Sequence, residues 1–462
     1  METAQAGAQG NSAQNNFDVK HAVDIGSFSG IQKYMYVLAA LAMILDGFDG
    51  QMIGFAIPAI MKEWGVTRAA FSGAVAAGLV GMAIGSIFAG AAADRIGRRP
   101  VLIGSVFLFG ACTCLIGYAP DINALAQIRF FAGLGIGAAL PTASTLTAEF
   151  TPLRFRTVAV TTTIICYPLG GMLAGFFAGA ILPAYGWRTF FFIGGALPMI
   201  YAVFLLLSLS ESPRYLARFS ERWEELRNLL SKMTHDVAST LSFSDGQAGE
   251  EQAHGSFKEL FSPALKIDTL AMWLCFFMTL LSIYSAFSWL PAMLTAEGLQ
   301  PSMAGMGLTA YNLGGVIGTI ICAIAVNYLG SRLPMLVFAV LAVISALSLK
   351  SVSITETPQI FLIGLGVHGM FMNGIQCTAY ALCAHIYPTH IRVTGTASAL
   401  AFGRLGAILS SFVGAAMITT GGASAYLNLL GGSMVFTLLA LLLVRNHIPA
   451  SRHAVATAPA AS

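Results

Sequence analysis

Apolar runs of roughly 20 residues recur along the whole chain, parted by short polar turns, and about twelve can be drawn. Their approximate limits are 32–53, 70–93, 99–118, 123–147, 157–180, 189–210, 267–292, 304–328, 333–351, 358–383, 393–419 and 423–444. Each is long enough to cross a hydrocarbon core of about 30 Å. Backbone in lipid must satisfy its own hydrogen bonds, so the runs are helices and the chain is an all-α membrane protein. The rhythm breaks once, at the charged and polar stretch from Glu211 to Lys266, which divides the runs six and six. The expected organisation is a tail over 1–30, a six-helix bundle over 31–210, a linker over 211–266, a second bundle over 267–445 and a tail over 446–462. Within the linker, Ser220 to Met233 reads as a short amphipathic helix and Ser242 to Gly255 as flexible chain.

Composition agrees with this pattern. Of 462 residues, 56% are hydrophobic and 10% charged, against about 25% charged in a soluble domain. The 49 glycines suit close helix packing in a membrane. A net charge of +3, spread thinly, gives no nucleic-acid surface. The basic residues collect on one side of the twelve-span arrangement. Only Lys62, Arg68, Arg188 and Lys350 fall on the other. The positive-inside rule therefore places both termini and the linker in the cytoplasm. The first 30 residues lack the apolar stretch of a signal peptide. The seven cysteines show no disulfide or zinc spacing, and no cofactor or metal is expected. Neither a nucleophile with base partners nor a phosphate loop appears, which weighs against a membrane-embedded enzyme.

The two halves repeat each other. Glu149-Phe150-Thr151-Pro152 followed by Arg156 returns as His385-Ile386-Tyr387-Pro388 followed by Arg392. Leu169-Gly170 returns at the same offset as Leu405-Gly406, and Gly97 and Arg99 return as Gly330 and Arg332. Duplicated halves are common in transporters, whose binding site lies mid-membrane between them.

Two motifs carry chemistry. After the second span stands Asp94-Arg95-Ile96-Gly97-Arg98-Arg99, suited to a charged latch between helices or to a basic loop that sets topology. In the first span, Asp46 and Asp49 stand three apart on one helix face. Ionisable groups within a span are functional candidates, and a carboxyl beside another in an apolar setting is a candidate proton carrier.

The loop after span two resembles the signature of the major facilitator superfamily, and with twelve spans, the six-plus-six split and the repeat, the likeness covers nearly the whole chain. Leu45-Asp46-Gly47-Phe48-Asp49-Gly50 looks like the aromatic acid:proton symporter family within it. Arg129, the segment Glu149 to Arg156, Glu211-Ser212-Pro213-Arg214, the loop from Tyr387 to Gly395 and Phe402-Gly403-Arg404 agree. The resemblance implies two pseudo-symmetric six-helix bundles in a bacterial cell (inner) membrane. It implies import of benzoate-like or phenylpropanoid acids with protons. Asp94, Arg95, Arg98, Arg99, Glu149, Arg156 and Arg392 would serve as conformational latches. Asn327 departs from the family, which often has an acidic residue there, so the second latch is expected to be weaker.

A flat aromatic anion needs a cation, an apolar wall and a few polar groups. Arg404 is the first choice for the carboxylate, with Arg129 expected to pair with one aspartate. Asn373, Gln376 and Tyr380 share one face of span ten and are candidates for ring substituents. Tyr284 and Phe287 are candidates for the aromatic wall, and Tyr311, with Asn312, is a similar candidate in span eight. His368 reads as a packing group and His385 as a loop contact. The expected partners are a small aromatic carboxylate, protons and the bilayer, with the chain a monomer. Alternatives are a proton symporter of a dicarboxylate or shikimate-like acid, and an exporter of drugs or aromatics. Tyr167-Pro168-Leu169-Gly170-Gly171 partly resembles the signature of drug antiporters.

Overall fold

The computed structural model describes residues 16–233, 242–245, 257–388 and 390–450. Among them, ten helices are long and apolar enough to cross a membrane. Eight are single spans: span 1 (Gly30–Trp64), span 2 (Arg68–Ile96), span 3 (Arg98–Ile116), span 4 (Ile122–Phe150), span 7 (Lys266–Ala296), span 8 (Pro301–Leu329), span 9 (Arg332–Ser348) and span 10 (Pro358–Ile386). The other two are each double. Leu153–Ser208 breaks at Gly186, φ 75°, and becomes spans 5 and 6. Arg392–Leu443 breaks at Gly421 and Gly422, the latter at φ 58°, and becomes spans 11 and 12. Helix cannot continue through such backbone, and glycine permits it. The result is the expected twelve spans.

Span 1 runs on past the expected end at 53 to Trp64. Gly54 to Met61 stays apolar, and Pro58 is tolerated because packed neighbours can satisfy the backbone it frees. Asp46 and Asp49 therefore sit near the middle of the span.

Each half uses the same pairing, 1 with 5, 2 with 4 and 3 with 6, mirrored by 7 with 11, 8 with 10 and 9 with 12. The repeated glycines mark the crossings. A methyl on Gly170 would lie 1.9 Å from the Ile44 carbonyl oxygen of span 1, and one on Gly406 would lie 2.2 Å from the Phe277 carbonyl oxygen of span 7. A further repeat joins the turns far from the linker. Glu63 accepts from Trp187 Nε1 at 2.6 Å, and Glu297 accepts from the Ala423 N–H at 2.7 Å. The bundle's outer surface carries exposed Phe88, Phe176, Ile200 and Leu207, as a lipid-facing belt requires.

The halves meet where span 2 packs on span 11, span 5 on span 8 and span 1 on span 7. On the side away from the linker the joint is tight. A methyl on Gly54 would lie 2.0 Å from the Phe287 carbonyl oxygen, and one on Gly175 would lie 1.8 Å from Thr309 Oγ1. Between them Gln51 and Asn312, both fully buried, exchange amide hydrogen bonds of 2.7 and 3.3 Å.

The linker face departs from expectation in part. Trp223–Met233 is the expected amphipathic helix, with Leu226, Leu229, Leu230 and Met233 buried. Ser242–Ser244, read as flexible chain, instead forms a strand parallel to Asn16–Asp18, with Phe243 against Phe17 and Trp223. Aromatic packing across the pair, invisible to local composition, orders it. The helix Val19–Ile25 follows, with Val19 and Val23 buried. Residues 246–255 of the expected flexible stretch, and 1–15 and 451–462 of the two tails, lie outside the described residues.

Gly170→Ala and Gly406→Ala are expected to destabilise the protein by about 1–3 kcal/mol each, because backbone must move to admit a methyl. Gly73→Ala, whose methyl meets nothing within 4 Å, is the control. Thermal unfolding in detergent measures all three. Midpoints as high as the control's would contradict the crossings.

Candidate functional site

Midway along the joint, and on the linker side of the Gln51–Asn312 pair, lies a cavity of about 100 Å³. That is about two-thirds of the roughly 150 Å³ of an engineered apolar cavity that holds benzene. Both halves wall it. Asp46, Met82, Ile136, Ile164 and Tyr167 come from the first, and Leu280, Tyr284, Phe287, Gln376 and Arg404 from the second.

The two aspartates face different cations. Asp46 is 1% exposed, lines the cavity and has Asp49 and, less strongly, Arg404 of span 11 as its charged neighbours. Asp49 is fully buried within the first bundle, beside Thr113 of span 3 and Arg129 of span 4. Arg129 is 5% exposed and lies against Gly78 of span 2. Neither couple closes into a salt bridge among the described residues. Asp46 Oδ1, both Asp49 oxygens and Arg129 Nε and Nη1 have no hydrogen-bond partner there. Buried charge without a partner is costly, so each carboxyl calls for a proton or an approaching cation, and the Arg129 guanidinium for an anion.

Arg404 reaches across the joint. Its Nη1 lies 2.7 Å from Met82 Sδ of span 2 and donates to the Tyr284 hydroxyl at 3.0 Å. A thioether is a weak acceptor, so the guanidinium keeps capacity for a carboxylate. Tyr284 and Phe287 stand edge to face, 5.7 Å apart, and both line the cavity. Asn373, Gln376 and Tyr380 line the same cavity from span 10.

Two expected members stand elsewhere. Arg129 does not line the cavity and belongs to the Asp49 cluster behind it. Tyr311 is 1% exposed and packs between Phe287 and His368, with ring centroids 6.2 and 6.3 Å away. A single residue step around the helix decides this, because Asn312 beside it faces the joint and is taken by Gln51. His368 is the expected packing group, held through Nδ1 by Ser345 Oγ and the Ala342 carbonyl. His385 is exposed at the end of span 10.

The charged loops of the first half form a network. Arg98 bridges Asp94 at 2.8 Å and Glu149 at 3.3 Å. Arg156 pairs with Asp24 and donates to the Ala148 and Thr151 carbonyls. Arg99 donates to the Leu206 carbonyl at 2.6 Å. Arg95 departs from expectation. Its side chain is exposed, and its carbonyl, accepting from the Tyr215 hydroxyl, is what joins the network. In the second half the buried Asp268, at the start of span 7, accepts from the Arg445 N–H at 2.6 Å and from Asn446 Nδ2 at 2.8 Å, just past the end of span 12. Gly330, at φ 77°, leads into Ser331, whose hydroxyl meets His447 Nδ1 at 3.1 Å, and burial pushes that imidazole down from its usual value. Arg392 donates to the Tyr387 carbonyl at 3.3 Å, as Arg156 does to Thr151, so this part of the repeat closes its loop alike in both halves.

Sequence reasoning missed several participants. Glu211 accepts from the backbone N–H of Arg98 at 3.0 Å, Arg99 at 3.2 Å and Ser212 at 2.8 Å, tying the end of span 6 to the start of span 3. Burial pushes its carboxyl above the usual value, against the pull of those bonds. Its place in Glu-Ser-Pro-Arg was visible, its partner 113 positions away was not. Tyr167 crosses span 1 backbone to backbone. A methyl on Gly47 would lie 1.9 Å from its carbonyl oxygen, and one on Gly50 would lie 2.8 Å from its hydroxyl. The glycines of Asp46-Gly47-Phe48-Asp49-Gly50 are thus the groove that seats Tyr167.

Comparison with known proteins fits this geometry. The Major Facilitator Superfamily model matches residues 39–306 and 272–461. The chain is 34% identical over 416 residues to the 4-hydroxybenzoate transporter PcaK of Pseudomonas putida, covering 89% of this chain and 92% of that protein. It is 33% identical to the gallate transporter of Pseudomonas putida, covering 92% of each. Among solved structures, the inward open xylose transporter XylE from E. coli matches with a TM-score of 0.72 at 19% identity, over 90% of this chain and 97% of that one. Twelve spans in duplicated halves around a central cavity, matched along most of their length, make this chain a member of the Major Facilitator Superfamily.

Proposed function

We propose that the chain imports aromatic carboxylic acids together with protons, by alternating access across a bacterial cell (inner) membrane. One observation carries the reading. Asp46 and Arg404, from opposite halves, line one cavity together with Tyr284 and Phe287. Arginine suits a carboxylate through two parallel N–H bonds. The names of the 4-hydroxybenzoate and gallate transporters support the same substrate class.

In the proposed cycle, a proton on Asp46 removes the buried negative charge facing Arg404 and frees the guanidinium for the guest's carboxylate. Asp49 and Arg129 form a second store, one helix turn away. With the side away from the linker sealed at Gln51–Asn312, exchange takes place at the linker face, which carries most of the basic residues and is cytoplasmic by the positive-inside rule. Both termini lie on that face. Both halves of the site lie in one chain, so a monomer suffices. One proton and one monoanion carry no net charge, so the membrane potential adds driving force only if further protons move.

Two measurements test this reading. In proteoliposomes, a radiolabelled aromatic acid accumulates only when a pH gradient is imposed. Asp46→Asn abolishes gradient-driven accumulation while sparing exchange, and Arg404→Ala weakens half-saturation by about tenfold or more, the loss of a charge-assisted bond. Accumulation indifferent to the gradient, or unchanged affinity in Arg404→Ala, would remove the corresponding role. For the proposed latch, Glu149→Gln loosens the Arg98 junction and slows or stops uptake without lowering binding affinity. Wild-type uptake rates in this variant would clear the network of a gating role.

A further inference from the structure

Three polar side chains of span 10 face the cavity, and their bonding sets one apart. Asn373 donates its Nδ2 to the Gly369 carbonyl of its own helix at 3.0 Å. The Thr319 hydroxyl, across the cavity on span 8, donates to the Gly315 carbonyl at 2.9 Å. Gln376 is only 8% exposed, and neither its Oε1 nor its Nε2 has a hydrogen-bond partner among the described residues. Tyr380, one turn further on, is its polar neighbour, but no hydrogen bond of ordinary geometry joins them.

A buried primary amide with both ends unpaired is rare, because each group loses its water without replacement. The amide is completed by a guest that accepts from Nε2 and donates to Oε1. A phenolic hydroxyl does both through one oxygen atom. A methyl ether accepts but cannot donate, and an unsubstituted ring does neither. The carboxylate goes to Arg404 on span 11, so the substituent and the acid are read by different helices of the same half.

We infer that Gln376 is the residue that selects for a ring hydroxyl, and that the preferred guests are hydroxylated aromatic acids rather than bare or O-methylated ones. This rests on the aromatic-carboxylate reading of the cavity. A site whose polar groups are left unpaired by the wrong guest discriminates more strongly than an apolar wall does.

The test compares hydroxybenzoate, methoxybenzoate and benzoate as probes in proteoliposomes holding the full chain, with binding to the purified protein measured in parallel. The wild type takes hydroxybenzoate at about tenfold lower half-saturation than benzoate, with methoxybenzoate between them. Gln376→Leu raises the hydroxybenzoate constant about tenfold and leaves benzoate unchanged or improved, so the preference collapses. Retained benzoate transport shows that the variant is folded. If it is not retained, Gln376→Met, closer in shape, makes the same comparison. A preference that survives these substitutions, or equal constants for the three probes in the wild type, would overturn this inference alone. Failure of all three probes to bind or enter would overturn the aromatic-carboxylate reading and this inference with it.

Discussion

The architecture turns on placing two carboxyls and two guanidiniums inside a helical bundle without letting them neutralise each other in fixed ion pairs. Asp46 with Arg404, and Asp49 with Arg129, are near enough to interact, yet neither couple is closed. A fixed buried pair would hold one arrangement, whereas open partners let a proton or an anion choose between arrangements. The surrounding structure keeps them open. Tyr167 lies in the glycine groove of span 1, and the Arg404 guanidinium lies on the Met82 sulfur and the Tyr284 hydroxyl.

The two couples differ in what they connect. Asp46 and Arg404 come from opposite halves, so their interaction changes when the halves move. Asp49 and Arg129 come from spans 1 and 4 of the same half, and their relation survives rocking. In the proposed cycle the first couple senses conformation and the second tunes charge. The loops show a similar division. The first half ties its spans with Arg98, Glu149, Arg156, Asp24 and Glu211, and the second uses Asp268, Ser331 and His447, so the duplicated frame carries unlike fastenings.

Much of this was legible in the sequence because membrane helices leave a strong local signal. Run lengths gave the twelve spans, and the repeated Leu-Gly pairs fell where spans 5 and 11 cross spans 1 and 7. Arg404, Tyr284, Phe287, Asn373, Gln376 and Tyr380 came together as helical spacing suggested. What escaped depended on partners distant in sequence. Nothing local distinguishes Tyr311, packed in the bundle, from Asn312, bonded across the joint. Nor does anything local to Ser242–Ser244 reveal a strand whose mate lies at Asn16–Asp18. Arg129 was found as a buried cation, but its separation from the cavity depends on how span 4 is turned.

Proton binding measured directly in weakly buffered detergent solution tests whether anion and proton share one cavity, as proposed. Adding an aromatic carboxylate to the purified protein is predicted to draw protons from solution in proportion to the sites filled, and to draw fewer in Asp46→Asn. Saturable binding of the anion with no change in solution pH, in wild type and variant alike, would contradict it.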